Sequence, residues 1–84
     1  MDVVVYGKPG CELCSAAKDK LERMEVPFNS VNLEAHGDDW RVSGVIEAYS
    51  YYMLWDTLPV ISIDGEFMKY PDAMRLLKRG ARGG

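Results

Sequence analysis

The chain has 84 residues, of which 48% are hydrophobic, and a formal net charge of −3. This length allows one small domain with its own core, and no apolar stretch approaches the ~20 residues that a membrane-spanning helix needs. No basic segment followed by a hydrophobic one opens the sequence, so we expect no secretory signal. Two cysteines are too few for a disulfide-stapled secreted fold, and we expect a cytoplasmic protein.

The charges are unevenly distributed. Acidic residues prevail between residues 34 and 66, whereas from Lys69 to the end basic residues outnumber the single acid, Asp72. A basic helix end complements the helix dipole. We prefer that interpretation to nucleic-acid binding because no aromatic residue is interleaved with the basic tail. We therefore expect neither a nucleic-acid nor a membrane partner, while electrostatic steering of a charged protein partner stays open.

The first predicted strand is Val3–Tyr6, a short apolar run rich in β-branched residues. Residues 7–10 contain two glycines and a proline and predict a turn. A helix follows, because apolar residues recur at helical spacing, and Pro27 marks its end. The residues of this predicted stripe are Leu13, Ala16, Ala17, Leu21 and Met24.

A second strand is predicted over Phe28–Leu33, and the strand–helix–strand order implies a right-handed crossover between parallel strands. Residues 35–37 form a connector, after which Asp38 or Asp39 caps a second helix. The apolar stripe predicted for this helix consists of Val42, Val45, Ile46, Tyr49 and Met53.

The last third of the chain predicts a hairpin and a helix. Pro59–Ile63 is a strand, Asp64-Gly65 a tight turn, and Glu66–Lys69 the returning strand. The final helix opens at Pro71 and stops at Gly80. Its predicted buried residues are Ala73, Met74, Leu76 and Leu77.

The predicted fold class is therefore α/β, in the order βαβαββα, with a four-stranded mixed sheet flanked by three helices. We expect a single domain over residues 1–80 and a flexible C-terminal tail over residues 81–84. The segment that carries both cysteines follows the first strand, at the carboxyl end where α/β sheets place their sites.

Cys11 and Cys14 are three residues apart at the start of the first predicted helix. Residues at this spacing have Cβ atoms about 5–6 Å apart, near enough for a disulfide to close or open. The N–H groups and partial positive charge of a helix N-terminus favour a thiolate at the first cysteine. This arrangement predicts that Cys11 is an attacking thiolate and that Cys14 releases it.

Three features together resemble the glutaredoxin family, a minimal form of the thioredoxin fold. Lys8 and the Cys11–Cys14 segment stand in the place of the family's basic residue and dithiol. Thr57-Leu58-Pro59 resembles its threonine–apolar–proline element. The third feature is Asp64-Gly65 with Asp72 at the start of the last helix. The resemblance covers nearly the whole chain and implies a thiol–disulfide oxidoreductase, a dithiol carrier acting on disulfide-containing protein substrates.

The resemblance also implies roles for these residues. Lys8 stabilises the Cys11 anion, whereas the Glu12 carboxylate opposes it, so we expect moderate activation. Cys14 then attacks the mixed disulfide. Pro59 is expected to follow a cis bond that turns the Leu58 backbone toward a substrate strand, although an ordinary edge-strand proline is the alternative.

The resemblance weakens before the last helix. Glutathione-using members carry a Gly-Gly pair followed by aspartates, whereas this chain has Lys69, Tyr70, Pro71, Asp72 and Ala73. Only glycine tolerates the closest backbone approach. The pattern is similar to that of redoxins that are reduced by thioredoxin reductase and donate electrons to ribonucleotide reductase. A generic Pro-Asp helix start explains it equally. Glutathione and thioredoxin reductase thus both stay open as reductants; Tyr70 and Asp72 are candidate binding residues, and no bound cofactor is expected.

Two other classes of protein also contain a pair of closely spaced cysteines. Zinc or iron–sulfur binding through Cys11 and Cys14 needs a dimer or external thiols, because structural zinc takes four ligands. We prefer the redox interpretation, with a monomer and no metal site. A redox-inert domain with a structural disulfide is disfavoured, because such a bond does not persist in a reducing cytosol.

Several aromatic and titratable residues are weaker candidates. His36 is expected in a surface loop, and Tyr6 is expected to pack beneath the dithiol. Trp40, Tyr51 and Trp55 fall off the second helix's predicted stripe. They form either a partner-docking patch near Thr57–Pro59 or a scatter of surface aromatics.

Overall fold

A computed structural model describes residues 2–34 and 44–83, with side chains through residue 78. The order βαβαββα confirms the predicted fold class. The strands are β1 (Val3–Gly7), β2 (Asn29–Asn32), β3 (Val60–Ile63) and β4 (Glu66–Lys69), and the helices are α1 (Glu12–Arg23), α2 (Val45–Trp55) and α3 (Tyr70–Gly83). Within the described ranges, none of the helices is both long and apolar enough to cross a membrane.

The four strands form one mixed sheet in the order β2-β1-β3-β4. β1 pairs parallel with β2 and antiparallel with β3, which in turn pairs antiparallel with β4. Near the end of β1, Tyr6 lies opposite Val60 at the start of β3. The segment that leaves β1 and the segment that enters β3 therefore meet at the same end of the sheet.

The two faces of the sheet are covered by different helices. Alternate residues of each strand face opposite sides, so β1 and β3 contribute to both faces. The α1–α3 cluster packs on one face and buries Val3, Val5, Ala17, Leu21, Ile61, Ile63, Ala73, Met74 and Leu77. The α2 cluster packs on the other and buries Tyr6, Leu33, Val45, Ala48, Leu58 and Val60; at the end of the sheet this cluster also contacts Cys14 of α1.

In α1, the predicted stripe is partly wrong. Leu13 is 55% exposed and Ala16 is also exposed, whereas Cys14, Ala17 and Leu21 are buried. The helix begins at Glu12 and presents to the sheet the side on which Cys14 lies. The spacing of apolar residues alone allowed either side, since Leu13 and Cys14 both lie at helical spacing from Ala17 and Leu21. The helix ends at Arg23, ahead of Pro27.

In α2, the predicted stripe is correct at Val45, which is buried, and wrong at its other described residues. Ile46, Tyr49 and Met53 are 57%, 43% and 69% exposed, while Val45 and Ala48 are buried. Apolar residues surround nearly the whole helix, so their spacing does not select the side that packs. The predicted capping residues Asp38 and Asp39, and also Val42, lie outside the described residues.

Other differences from the prediction concern the ends of β2, β3 and α3 and the exposure of one residue in α3. β2 is one residue shorter at each end than predicted, and β3 starts after Pro59. In α3, Leu76 is 45% exposed, because it lies beside the face formed by the buried Ala73, Met74 and Leu77. The helix also continues past Gly80 to Gly83, so the predicted stop is wrong. A glycine inside a helix costs only about 1 kcal/mol and does not by itself end it.

Candidate active site

Cys11 and Cys14 form a disulfide at the N-terminus of α1, with their Cα atoms 5.2 Å apart. This separation lies within the usual range for disulfides. Cys11 is the N-cap of α1 and has extended backbone angles. The backbone N–H of Cys14 donates a hydrogen bond of 3.1 Å to Cys11 Sγ. The predicted placement of the pair at a helix start is therefore confirmed.

The two sulfur-bearing residues differ in access to solvent. Cys14 is 3% exposed, whereas Cys11 is half-buried. Cys14 also packs against the end of β1, where a Cβ atom added at Gly7 would stand 2.6 Å from Cys14 Sγ. Cys11 is therefore the more accessible of the two cysteines, and the lack of a side chain at Gly7 makes room for Cys14.

The segment before β3 lies beside this disulfide. The Leu58–Pro59 peptide bond is cis, as the resemblance implied. Leu58 packs in the α2 cluster together with Cys14 and, at its edge, Cys11. Pro59 is fully buried. The fold thus brings together two motifs that are far apart in sequence, because β1 and β3 are neighbouring strands.

A groove with a volume of about 550 Å³ opens next to this segment. Three of the predicted binding residues, Thr57, Leu58 and Tyr70, line it. Leu13 forms part of its rim, consistent with its high exposure. Its walls also include Trp55 and Lys69. The groove is thus mostly apolar, with the cations Lys20 and Lys69 in its walls.

Besides the buried Pro59, two predicted binding residues lie away from the groove walls. Lys8 is exposed, and its Nζ lies 5.8 Å from the centre of the Tyr52 ring, a distance at which a cation is attracted to a ring face. Asp72 accepts a hydrogen bond of 2.7 Å from Arg75, an exposed ion pair of small energetic value. Asp72 therefore begins α3 as predicted but is paired within the helix.

The α2 aromatics contribute more to the site than the sequence predicted. Tyr51 stacks between Trp55, at 4.6 Å between ring centres, and Phe67, at 5.3 Å. Lys69 Nζ lies 5.7 Å from the Trp55 ring centre. Tyr51 and Trp55 thus pack on the α2 cluster instead of lying on the outer side of the helix. The sequence feature that could have indicated this role was the position of Trp55 shortly before Thr57–Pro59. Trp40 lies outside the described residues.

Tyr6 packs beneath the dithiol as predicted and is 2% exposed. Burial raises the pKa of its phenol, and the negative charges of Glu47 and Asp2 raise that pKa further. Because its ordinary pKa is already near 10, the phenol stays protonated at neutral pH. Tyr6 is therefore an uncharged neighbour of the reacting sulfurs.

The part of the chain that the structure describes contains no ligand cluster that would support the alternative of a metal-binding protein. Within residues 2–34 and 44–83, no three His, Cys, Asp or Glu side chains lie together in an arrangement that could hold a metal ion. His36 lies outside these ranges. The described site therefore offers two sulfur atoms, an adjacent apolar groove and nearby cations.

Fold and site together define a small dithiol protein with a thioredoxin-like fold. The chain belongs to the glutaredoxin family, whose model, "Glutaredoxin", matches residues 3–68. A wheat glutaredoxin structure is similar, with a TM-score of 0.62 and 25% identity, covering 90% of this chain and 70% of the wheat chain. The Escherichia coli glutaredoxin-like protein NrdH-redoxin superposes with a TM-score of 0.57 at 22% identity, covering 82% of each chain. No curated protein matches the sequence.

The end of the family match coincides with the departure noted in the sequence. The match stops at residue 68, immediately before Lys69 and Tyr70. These two residues line the groove beside Thr57 and Leu58. The part of the site nearest the start of α3 is thus the part that the family model does not cover.

Proposed function

We propose that this chain reduces disulfides in protein substrates, with Cys11 as the nucleophile and Cys14 as the resolving thiol. The observation that supports this most strongly is the Cys11–Cys14 disulfide at the N-terminus of α1, with Cys11 the more accessible partner. The groove at Thr57 and Leu58 supplies an adjacent surface for the substrate chain. Members of the glutaredoxin family are generally oxidoreductases, which agrees with this assignment.

The reaction consists of two exchange steps. In the first, the Cys11 thiolate attacks one sulfur of the substrate disulfide, and the other substrate sulfur leaves as a thiolate that takes up a proton. In the second, Cys14 loses its proton and attacks Cys11 Sγ, which releases the second substrate thiol. Two electrons have then passed to the substrate, and Cys11 and Cys14 are joined. The Cys14 N–H at 3.1 Å from Cys11 Sγ and the helix dipole stabilise the attacking thiolate.

We further propose that thioredoxin reductase, and not glutathione, returns the disulfide to the dithiol. Lys69 and Tyr70 line the groove where glutathione-using members of the family carry two glycines. NrdH-redoxin, one structural neighbour, is described as a glutaredoxin-like protein with a thioredoxin-like activity profile. By the resemblance stated above, ribonucleotide reductase is then the candidate acceptor of the electrons.

Cysteine variants test the catalytic roles. We expect Cys11→Ser to abolish reduction of insulin and of a small disulfide, because serine cannot form the mixed disulfide. Cys14→Ser should still form a mixed disulfide through Cys11 but should not release it intramolecularly. Circular dichroism of both variants serves as the folding control. Wild-type rates from a folded Cys11→Ser variant would refute the proposal.

Parallel coupled assays test the reductant. NADPH consumption is followed with glutathione plus glutathione reductase and, separately, with thioredoxin reductase. We expect at least a tenfold faster turnover with thioredoxin reductase. The double variant Lys69→Gly/Tyr70→Gly should increase glutathione-dependent turnover, and Lys69→Ala/Tyr70→Ala is the matched control for side-chain removal without added backbone freedom. Faster turnover of the wild type with glutathione would contradict the proposal.

Metal analysis tests the opposing class of function. Protein purified under reducing conditions is analysed for zinc and iron by plasma emission. We expect far less than one metal ion per chain. Stoichiometric metal bound through the two cysteines would contradict a redox carrier, since ligated thiolates are not free to exchange.

A further inference from the structure

A second, smaller cavity of about 190 Å³ lies against Cys14, at the β2 edge of the sheet. It is bounded by the loop that follows β1, the first turns of α1, and β2. Its polar lining includes Ser15, Lys18, Ser30 and Asn32. The groove at Thr57, by contrast, is formed by residues beside β3, β4 and α3 and reaches α1 at Leu13 and Lys20. Cys14 therefore has a cavity that is separate from the substrate groove.

The resolving step needs a route for a proton. Cys14 attacks only as the thiolate, and its side chain is 3% exposed. Among the described residues, the cavity wall includes neither a carboxylate nor an imidazole that would accept the proton. A cavity of this volume admits several water molecules, given polar partners. The serine hydroxyls of its wall provide such partners, so solvent in the cavity is the acceptor nearest to Cys14.

Lys18 is one of two lysines among the described residues of the cavity wall and lies on the same helix as Cys14. It follows Cys14 by four residues on α1, so the two share one helix face, and it is half-buried. Helical side chains lean toward the N-terminus, which carries the Lys18 stem back over Cys14. The other lysine of the wall, Lys8, has its Nζ beside the Tyr52 ring, toward α2.

We propose that this cavity is the proton exit of Cys14 and that Lys18 is a positioning residue whose positive charge favours the Cys14 thiolate during resolution. The proposal rests on the redox function proposed above. The titratable groups that surround Cys14 are Lys18 from α1, Lys8 and Cys11 from the loop, Tyr6 from β1 and Tyr52 from α2. β2 contributes only uncharged groups to the cavity.

The Cys14 thiol releases its proton to solvent in the cavity, and the thiolate attacks Cys11 Sγ of the mixed disulfide. The Cys11–substrate bond breaks, the Cys11–Cys14 bond forms, and the substrate thiolate takes up a proton outside. Lys18 neither gains nor loses a proton in this sequence; it lowers the energy of the anion through space.

The test measures Cys14 alone, in a Cys11→Ser background, through the pH at which its iodoacetamide alkylation rate is half-maximal. We expect Lys18→Met to raise this midpoint by about 0.5–1 pH unit. Lys18→Arg, which keeps the charge, should restore the midpoint. Arg23→Met, which removes one positive charge from the exposed end of the same helix, is the matched control and should leave it unchanged.

A second measurement follows decay of a preformed Cys11 mixed disulfide in the chain with both cysteines. Lys18→Met should slow this decay about threefold at pH 7 and match the wild type near pH 10, whereas a merely structural role would slow it at both. Unchanged midpoint and decay in Lys18→Met, or an equal shift in Arg23→Met, would overturn the proposal. Failure of the redox function itself would appear separately, as absent insulin reduction by the wild type.

Discussion

The two faces of the sheet differ in chemistry as well as in the helices that cover them. The largest fully buried side chains of the α1–α3 cluster are aliphatic, among them Leu21, Ile61 and Leu77. The α2 cluster instead contains Tyr6 and Cys14, with Cys11 at its edge. The sheet thus separates an aliphatic cluster from a cluster that contains Tyr6 and extends, at the end of the sheet, to the two cysteines at the start of α1. Changes on the first should alter the folding equilibrium, and changes on the second should alter thiol chemistry or substrate use.

The largest expected effect is in the α1–α3 cluster. Leu21 is fully buried, so Leu21→Ala should lower the free energy of unfolding by about 3 kcal/mol, through lost burial and a cavity. Urea denaturation measures this change. Leu76→Ala, at a position that is 45% exposed, is the control and should cost less than about 1 kcal/mol. A large loss of insulin reduction by the folded Leu21→Ala protein would break the proposed division between the two faces.

The next effect concerns Gly7, which lies directly behind Cys14. A Cβ atom there would stand 2.6 Å from Cys14 Sγ and 3.0 Å from Cys14 Cβ. Gly7→Ala should therefore displace Cys14, cost about 1–3 kcal/mol of stability, and shift the equilibrium with a glutathione redox buffer toward the dithiol. That equilibrium is measured by thiol labelling at defined buffer ratios.

Gly65→Ala provides the matched control for Gly7→Ala. Gly65 has φ +87° and nothing within 4 Å of an added Cβ, so alanine there is opposed by the backbone alone. We expect a stability cost of about 1 kcal/mol and an unchanged dithiol equilibrium. Equal shifts of the equilibrium in both variants would show that the packing of Cys14 against Gly7 is unimportant.

A smaller effect is expected at Trp55, which joins the α2 cluster to the groove. Its ring contacts Tyr51 and lies beneath Lys69. Trp55→Leu should raise the KM for a protein disulfide by about three- to tenfold, since a substrate loses roughly 1 kcal/mol of aromatic contact. The kcat for a small disulfide should be unchanged. Leu54→Ala, at a neighbouring position that is 74% exposed, is the control. Equal KM changes in both variants would argue against a specific contact between the substrate and Trp55 in the groove wall.

The smallest effect is the pH dependence of stability that comes from Tyr6. Its pKa is raised in the folded protein by burial and by Glu47 and Asp2. Its contribution is therefore complete below the unfolded pKa near 10 and is lost as the pH rises through the raised folded value. The free energy of unfolding of the wild type should fall between pH 9 and 11 more than that of Tyr6→Phe. Parallel curves for the two proteins would contradict this origin of the effect.

The sequence by itself determined the order of elements and the location of the dithiol. Local signals sufficed for these, because the turn residues after β1, the Asp64-Gly65 hairpin and the spacing of Cys11 and Cys14 act over a few residues. Thr57–Pro59 was assigned to the site through its resemblance to a family motif, and the Leu58–Pro59 bond is cis as that resemblance implied. The packed side of α2 was not determined, since its apolar residues surround the helix.

Only the tertiary structure decided which side chains surround the sulfurs. The sheet covers the side of α1 that carries Cys14, and this leaves Leu13 at the groove rim. It also turns Trp55 toward Lys69 and places Lys18 in the same cavity as Cys14. These contacts join residues from strands and helices that are distant in sequence. No short-range pattern specifies them, because burial of a helix face is decided by the element that packs against it.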